Sequence, residues 1–309
     1  MKTMKKILAV VLSLMMVIAF AACTETGQTQ DPEEAAKAAA YNKILEGLKY
    51  NDSGLPELTV ATSPDFAPME FVDLSRSGSE QYVGFDMILA KYIAKELNMK
   101  LVIKPMSFDA VQAAVQTGSV DLGLAGFSWT EERAENYFIT DWYEAGKNET
   151  QQVTITLAEN KDKFKTAADY QGVKVGAQGA SLQKILVEGQ LPDCDLQLLE
   201  NLNDACTALL TGKIEALAVA YGNGESFISA NPGKIEFTGF EFEVDDLYKN
   251  NVILMNKNAG ELGAKVNAVL AKAKAANVYD TWYEAAQMLG EIKTLDELGY
   301  DDEGNKITE

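Results

Sequence analysis

An arginine in the segment AGFSWTEERAENYF is the side chain best suited to recognise an anion. The chain has 27 basic residues, of which only two are arginines, and one of these is Arg133. We expect a helix to begin after Thr130, and a cation in its first turn opposes the helix dipole at a cost of roughly 0.3–1 kcal/mol. A guanidinium offers a rigid fork that matches a carboxylate with two hydrogen bonds, which lysine cannot do. The alternative for Arg133 is a surface ion pair with Glu132 or Glu135.

The sequence shows no arrangement of residues that is typical of common catalytic chemistry. It contains no histidine, the commonest general base and transition-metal ligand. Neither a nucleophile beside a base, nor a paired acid and base, nor a metal-ligand spacing is evident. We therefore expect a protein that binds without catalysing, and that uses no metal and no cofactor.

The first 23 residues have the composition of a bacterial secretion signal. A basic MKTMKK is followed by the apolar ILAVVLSLMMVIAF and then by AAC. Phe20-Ala21-Ala22-Cys23 resembles a lipobox, which implies removal of residues 1–22 and lipid attachment to the Cys23 sulfur. The alternative is plain secretion with cleavage near Ala22. Two or three acyl chains would anchor the protein stably.

The charge of the chain excludes several classes of partner. The formal net charge is −19, and it becomes −22 once the three lysines of the signal segment are removed. Strong acidity without a basic stretch argues against nucleic-acid binding and against a body that lies on anionic lipid. We expect a monomer with a small-molecule ligand.

Strands that alternate with helices predict α/β units with largely parallel sheets. The pattern starts at about residue 57 and restarts after about residue 150, so two lobes of about 100 residues fit better than one sheet. A polar tether and a helix at 35–50 precede the first unit, within residues 23–56. That helix packs on the first lobe or forms a stalk. An acidic tail occupies 290–309.

Two cysteines remain besides the predicted lipid anchor. Cys194 and Cys206 are 12 residues apart, and an extracytoplasmic location permits a disulfide. The alternative is that both are small buried apolar residues.

Three blocks in fixed order carry a family resemblance: YVGFDMILAKYIAKELNM, PMSFDAVQAAVQTGSVDLGLAG and FSWTEERAENYFITDWYEAG. They resemble the extracellular solute-binding proteins of polar amino-acid ABC importers, and the similarity spans about 57–289. The resemblance implies the type II periplasmic-binding-protein-like fold, in which two lobes hold the ligand in a cleft. Lobe 1 would be 57–146 plus 251–289 and lobe 2 would be 147–250. Two crossing hinge strands would lie near 146–152 and 246–252.

The resemblance also implies which residues bind the ligand. Arg133 would pair with its α-carboxylate, Ser128 would supply a hydroxyl, and the Gly126 carbonyl would accept from an amine. The rings of Phe66 and Phe108 would enclose the ligand side chain, where burial or a cation over a ring contributes about 1 kcal/mol. The opposing lobe would offer backbone N–H groups at a helix start, from Ala180 and Ser181.

One position departs from the family pattern. Family members carry an aspartate for the α-ammonium where this chain has Ala220. Losing that charge-assisted hydrogen bond, worth about 1.5–3 kcal/mol, would weaken binding roughly ten- to hundredfold. Glu225 or Glu200 could replace it, Tyr221 could stack on the cation, or the ligand could lack an ordinary α-amine. Some family members also have an aspartate at the position of Ser63. Its replacement by serine argues against a strongly cationic ligand, unless Asp65 supplies the carboxylate instead.

The function that follows is a lipid-anchored receptor on the outer face of the cytoplasmic membrane. It would capture an amino acid or related small carboxylate by lobe closure and deliver it to the permease subunits of an ABC importer. A second hypothesis is an enzyme offshoot of the same fold resembling cyclohexadienyl dehydratase, with Glu225 as the acid. A third is a ligand sensor without transport.

Overall fold

The computed structural model describes residues 32–143 and 150–290. The predicted signal peptide, Cys23 and the polar tether up to residue 31 lie outside the described residues. So do the acidic tail from residue 291 and residues 146–149 of the first predicted crossing. Within the described ranges the chain forms two α/β lobes, each built on its own five-stranded sheet. The structure thus confirms the predicted two-lobed fold class.

The sheet of the first lobe has the strand order β4-β1-β5-β12-β6. Strand β1 pairs in parallel with β4 and β5, whereas β12 runs antiparallel to β5 and β6. The late strand β12 enters this sheet only after the chain has built the second lobe. The strands are β1 (Glu57–Thr62), β4 (Lys100–Pro105), β5 (Leu122–Gly123), β6 (Phe138–Ile139) and β12 (Leu254–Met255). A short hairpin joins β2 (Phe71–Val72) to β3 (Tyr82–Val83).

Helices cover this first sheet and carry its core. Phe85 is fully buried, and its ring lies 6.3 Å from the rings of both Trp282 and Tyr283. These aromatic contacts pack the helix that carries Phe85 against the helix that carries Trp282 and Tyr283. Segments from both ends of the described chain therefore share one core. The helices are α2 (Phe85–Glu96), α3 (Phe108–Thr117), α4 (Glu131–Asn136), α8 (Gly260–Ala275) and α9 (Tyr279–Leu289).

The sheet of the second lobe has the order β11-β7-β10-β8-β9. Strand β8 pairs in parallel with both β9 and β10, whereas β7 runs antiparallel to β10 and β11. The strands are β7 (Gln152–Leu157), β8 (Lys174–Gln178), β9 (Asp195–Leu199), β10 (Ala216–Ala220) and β11 (Ile235–Glu241). The helices are α5 (Leu182–Gln190), α6 (Leu202–Leu210) and α7 (Tyr221–Ala230).

The sequence reading assigned no element to the segment that forms α7 and β11. Two glycines in YGNGESFISA lower the helix propensity of α7, each by about 1 kcal/mol relative to alanine. Gly224 is needed there because a Cβ would lie 2.7 Å from the Phe237 ring of β11. Close helix-to-strand packing therefore overrides propensity at this site.

The N-terminal helix α1 (Pro32–Gly47) packs on the first lobe rather than forming a stalk. Tyr41 is only 1% exposed, and its hydroxyl donates to the Gly84 carbonyl at 3.0 Å and accepts from the Gly84 N–H at 2.9 Å. Burial raises the pKa of Tyr41 above its usual range. The helix thus becomes part of the lobe 1 core.

The return connection to the first lobe contacts two segments of that lobe. Asn251 pairs antiparallel with Tyr143 on one side and with Ser128 on the other. Val252 then donates its N–H to the Phe127 carbonyl at 2.8 Å as the chain re-enters the first lobe. The return connection therefore contacts the segment that carries Ser128.

Both remaining cysteines are free thiols, so the structure forms no disulfide between them. Cys206 is buried among apolar residues of α6 and its neighbours, whereas half-buried Cys194 packs against a different cluster. Burial raises the pKa of both thiols, that of Cys206 to about 11. They behave as small apolar residues.

No helix in residues 32–143 and 150–290 has the length and apolar composition needed to cross a bilayer.

Candidate ligand-binding cleft

A small cavity lies between the two lobes and brings together most of the predicted binding residues. Its volume is about 20 Å³, which is room for about one water molecule. Six predicted residues line it, and they come from both lobes. The full lining among described residues is Phe66, Phe108, Ala125, Gly126, Ser128, Arg133, Gln178, Ser181, Leu182 and Gln183.

Arg133 lies inside this cleft and connects the lobes. Its side chain is 4% exposed, whereas Glu132 and Glu135 are exposed, so a surface ion pair does not describe it. Nη1 donates to the Ser128 carbonyl at 2.6 Å and Nη2 donates to the Ala180 carbonyl of the second lobe at 2.9 Å. The guanidinium is therefore held at a fixed position in the lobe interface.

Two phenylalanine rings hold the guanidinium from the side of the first lobe. The central carbon of the Arg133 guanidinium lies 5.0 Å from the centroid of Phe127 and 5.7 Å from that of Phe108. The two rings are themselves 4.8 Å apart. Cation–π contacts in desolvated sites contribute about 2 kcal/mol, so they offset part of the cost of burying the charge. Phe127, fully buried, was missed by the sequence reasoning although it lies in the same block.

Gly126 forms the floor of the cleft with a backbone that favours glycine. Its φ is +55°, and a Cβ there would lie 2.7 Å from Cε1 of Phe66. Its N–H donates to Oδ2 of Asp86 at 2.9 Å, and Oδ1 of the same carboxyl accepts from the Tyr143 hydroxyl at 2.8 Å. Burial raises the pKa of Asp86 to about 6. Asp86 thus ties the cleft floor to the lobe connection at Tyr143.

The opposing wall is the turn from β8 into α5. Ala180 has a φ of +58°, and its carbonyl points to Arg133. The Ser181 hydroxyl caps α5 by accepting from the Lys184 N–H at 3.1 Å, and it donates to the Gln178 carbonyl at 2.7 Å. Ser181 and the two residues that follow it line the cavity at the start of α5, and the Ala180 carbonyl is the acceptor that this wall offers to Arg133. The backbone donors expected from this turn stay a prediction.

Several residues that the sequence reasoning considered are not brought to the cavity. The Tyr221 ring stacks on Phe237, with centroids 4.9 Å apart and 5° between the planes, and packs into the lobe 2 core. Trp129, which follows Ser128 and could have capped the pocket or packed beneath it, stacks on Tyr248 with centroids 6.3 Å apart. Glu200 is exposed and Glu225 is half-buried on α7. We place none of the four in the lining.

Gln178 and Gln183 line the cavity and were missed by the sequence reasoning. Gln178 ends β8, and its Nε2 donates to Oδ2 of Asp65 and to the Glu200 carbonyl, both at 3.2 Å. Gln183 lies in the first turn of α5. Their positions beside the glycine-containing turn GAQGASLQ were the available signal. Periodicity alone does not show which side of a turn faces a partner lobe.

Asp65 forms a second polar bridge between the lobes. Its side chain is buried, and Oδ2 accepts from the Leu202 N–H at the start of α6 at 2.8 Å. Its Oδ1 accepts from the Ser63 hydroxyl at 2.8 Å. Desolvation raises the pKa of Asp65, although these hydrogen bonds act in the opposite direction. Asp65 therefore binds its proton more tightly in the folded protein than in the unfolded chain.

We expect the stability of the Asp65→Asn variant, measured relative to wild type, to increase as the pH rises. With a raised folded-state pKa, the Asp65 contribution is fully present below the unfolded value, about 3.9, and is lost as pH rises through the folded pKa. Asparagine carries no charge to bury. The free energy of unfolding of the variant, measured relative to wild type, should therefore be higher at pH 7 than at pH 4. Urea unfolding at both pH values measures this difference.

Asp162→Asn is the matched control for that pH dependence. The Lys165 ammonium, 2.8 Å from Oδ1 of exposed Asp162, lowers the pKa of this carboxyl. The stabilising effect of ionised Asp162 is present above its unfolded pKa and is lost as pH falls. The free energy of unfolding of Asp162→Asn, measured relative to wild type, should therefore decrease as pH rises. Equal pH slopes for the two variants would contradict our account of Asp65.

A larger cavity of about 480 Å³ lies at the lobe seam beside Asp65. It is lined by α1, by the loop that carries Asp65, and by Asn203 and Asn223 of the second lobe, and its lining does not include Arg133. No group of three or more histidine, cysteine, aspartate or glutamate residues in the described part of the chain could hold a metal ion.

The profile of one protein family, described as bacterial extracellular solute-binding proteins, family 3, matches residues 58–286. The chain belongs to this family. The resemblance read from the three sequence blocks is thereby confirmed, and the two-lobed architecture with Arg133 between the lobes is the fold that it implied.

Two curated relatives of this family-3 protein are similar over most of the chain. A probable histidine-binding protein of Campylobacter jejuni is 27% identical over 252 residues, covering 79% of this chain and 90% of its own. The glutamine-binding protein GlnH of Bacillus subtilis is 28% identical over 291 residues, covering 91% and 97%. Both are described as amino-acid-binding proteins.

A solved structure is similar in fold. AbpA of Streptococcus pneumoniae, an amino-acid ABC transporter substrate-binding protein crystallised with L-arginine, superimposes with a TM-score of 0.69 at 30% identity. The match covers 77% of this chain and 97% of AbpA. The names of these relatives specify three different amino acids, namely histidine, glutamine and arginine.

Proposed function

We propose that this family-3 protein is the substrate-binding component of an ABC importer, and that its ligand is an amino acid or related small carboxylate. The observation that carries the proposal is Arg133, buried between the lobes and lining the cavity from the first lobe. A buried guanidinium fixed by two carbonyls and two rings is pre-organised for bidentate recognition of a carboxylate. The names of the relatives support an amino acid as that ligand.

Ligand capture requires the lobes to separate and close again, because the cavity of about 20 Å³ is too small for an amino acid. The contacts that must break include the Arg133 bond to Ala180 and the bonds that Asp65 accepts from Gln178 and Leu202. A ligand carboxylate that takes the place of the Ala180 carbonyl would rebuild the bridge through itself. The ligand shifts the equilibrium only by binding the closed form more tightly than the open one.

We extend the proposal to the location of the protein and its partner. Removal of residues 1–22 and lipid attachment at Cys23 would hold the protein as a monomer on the outer face of the cytoplasmic membrane. There it would deliver its ligand to the membrane permease. The support is the composition of the N-terminal segment and its lipobox-like end.

We propose binding without catalysis. Glu225, the acid considered for a dehydratase-like reaction, lies on α7 and is not in the lining of the cavity. A general acid must reach the substrate within hydrogen-bond distance, directly or through one water. A sensor without transport would use the same cleft. Stimulation of the permease ATPase by the loaded protein distinguishes transport from sensing.

A thermal-shift screen of the chain from residue 24 tests the proposed ligand class. The panel contains L-histidine, L-glutamine, L-arginine and their amine-free carboxylic acid analogues. A ligand at 100 times its Kd should raise the free energy of unfolding by about 2.7 kcal/mol. We expect at least one carboxylate to raise the melting temperature. If no member of the panel does so, the proposed ligand class is wrong.

A further inference from the structure

Two glutamine side chains form a buried pair beside the position where the family pattern places an aspartate. Ala220 of β10 and Gln152 of β7 are directly paired residues in the lobe 2 sheet. Nε2 of Gln183 donates to Oε1 of Gln152 at 2.7 Å. Gln152 is fully buried and Gln183 is 9% exposed. An amide pair therefore stands next to the strand position from which a carboxylate would otherwise project.

Gln183 connects this pair to the ligand cavity. It lies two residues after Ser181 in the first turn of α5, and it lines the same cavity as Arg133. Its Nε2 is committed to Gln152, and its Oε1 accepts no hydrogen bond within the described part of the chain. A neutral acceptor is thus available at the cavity wall.

The charges around the cavity make this acceptor important. Among the described lining residues Arg133 is a cation and none is a carboxylate. A bound zwitterion would place its carboxylate on Arg133 and would need acceptors for its ammonium. Hydrogen bonds to a neutral acceptor are roughly half as strong as those to an ionised one. The lining therefore favours the carboxylate end of a ligand over its amine end.

We propose that Gln183, held in place by Gln152, takes the role of the absent aspartate as acceptor for the ligand amine, and that the cleft consequently tolerates carboxylates that lack an amine. This inference rests on the proposed function, since it assigns the second end of the same ligand. Gln183 is then a specificity-determining residue. Compared with an aspartate in this role, it lowers the preference for an amino acid over the same acid without its α-amine.

The test measures that preference by isothermal titration calorimetry. The probes are L-glutamine with glutaramic acid, and L-arginine with 5-guanidinopentanoic acid; each pair differs only in the α-amine. For wild type we expect the two Kd values of a pair to lie within about tenfold. Gln183→Glu supplies an ionised acceptor and should increase the preference for the amino acid about tenfold. Gln171→Glu adds the same charge at an exposed site of the second lobe and should leave the preference for the amino acid unchanged.

A second variant guards against a structural effect of the first. Ala220→Asp returns a carboxylate to the strand opposite Gln152 and should raise the same preference. Combining it with Gln183→Glu should give less than the product of the two effects, because both carboxylates serve one amine. An unchanged preference in both single variants would overturn the proposal. So would a wild-type preference of a hundredfold or more, which would require a carboxylate already at the amine.

The outcome for the proposed function is read separately. Arg133→Ala should weaken both members of each probe pair, since both carry the carboxylate. If it weakens neither, the proposed site is wrong whatever Gln183 does. If Arg133→Ala weakens both while Gln183→Glu leaves the preference unchanged, the site stands and the assignment of Gln183 fails.

Discussion

Arg133→Ala is expected to weaken binding of the carboxylate ligand by about thirtyfold or more. Truncating one partner of a buried, hydrogen-bonded charge pair costs about 2–5 kcal/mol, and 1.4 kcal/mol corresponds to tenfold in Kd. The substitution also removes the bonds to Ser128 and Ala180 and the contacts with Phe108 and Phe127. Calorimetric titration with the tightest ligand from the screen measures the loss. Arg133→Lys keeps the charge but not the fork, so its affinity should fall between those of wild type and the alanine variant.

The other arginine of the chain provides the matched control. Arg76 donates to Asp73 at 2.6 Å and to Asn42 at 2.9 Å on the surface of the first lobe, away from the cleft. Arg76→Ala should leave the ligand Kd unchanged. If the two alanine variants bind the ligand equally well, Arg133 has a structural role and does not contact the ligand.

Gly126→Ala is expected to lower both ligand affinity and stability. The substitution forces a φ of +55° on alanine, at a cost of about 1–2 kcal/mol, and its Cβ would lie 2.7 Å from the Phe66 ring. Relieving such overpacking typically costs a further 1–3 kcal/mol. Phe66 packs against the cores of both lobes, so a displaced ring alters the cleft wall and the lobe contact together. We expect affinity to fall at least tenfold, as measured by the same titration.

Gly212→Ala separates backbone strain from the steric effect. Gly212 has a φ of +70°, and a Cβ there meets nothing within 4 Å. This variant should lose only the backbone cost of about 1–2 kcal/mol in the free energy of unfolding and should bind ligand as wild type does. Equal losses of affinity in the two variants would show that contact with Phe66 is irrelevant to binding.

Apart from α7 and β11, the order of elements was predictable because strong local signals defined them. Gly118 ends α3 with a φ of +71°, as its place after an apolar helix indicated, and Thr130 caps α4 by accepting from the Arg133 N–H. The resemblance supplied the positions of Gly126, Ser128 and Arg133. The structure brings these three to one cavity wall because they lie within eight residues of each other, on one loop and the helix that follows it.

The contacts between lobes could not be predicted from local sequence. Asp65 meets Leu202 and Gln178 across 137 and 113 residues of chain, and no periodicity encodes such pairs. Tyr221 was considered as a ligand contact because it follows Ala220, but the helix that begins there directs its ring onto Phe237. Gln183 was overlooked because it lies on a helix and its partner Gln152 begins a strand 31 residues earlier in the chain. Cleft residues of this kind are defined by tertiary packing.

The most direct test of the account is a crystal structure of the chain from residue 24 with its tightest ligand from the screen. We predict that the ligand carboxylate accepts hydrogen bonds from the Arg133 guanidinium, at about 2.7–2.9 Å, between Phe66 and the first turn of α5. A ligand seated instead in the cavity of about 480 Å³ beside Asp65 and Asn223, without contact to Arg133, would contradict it.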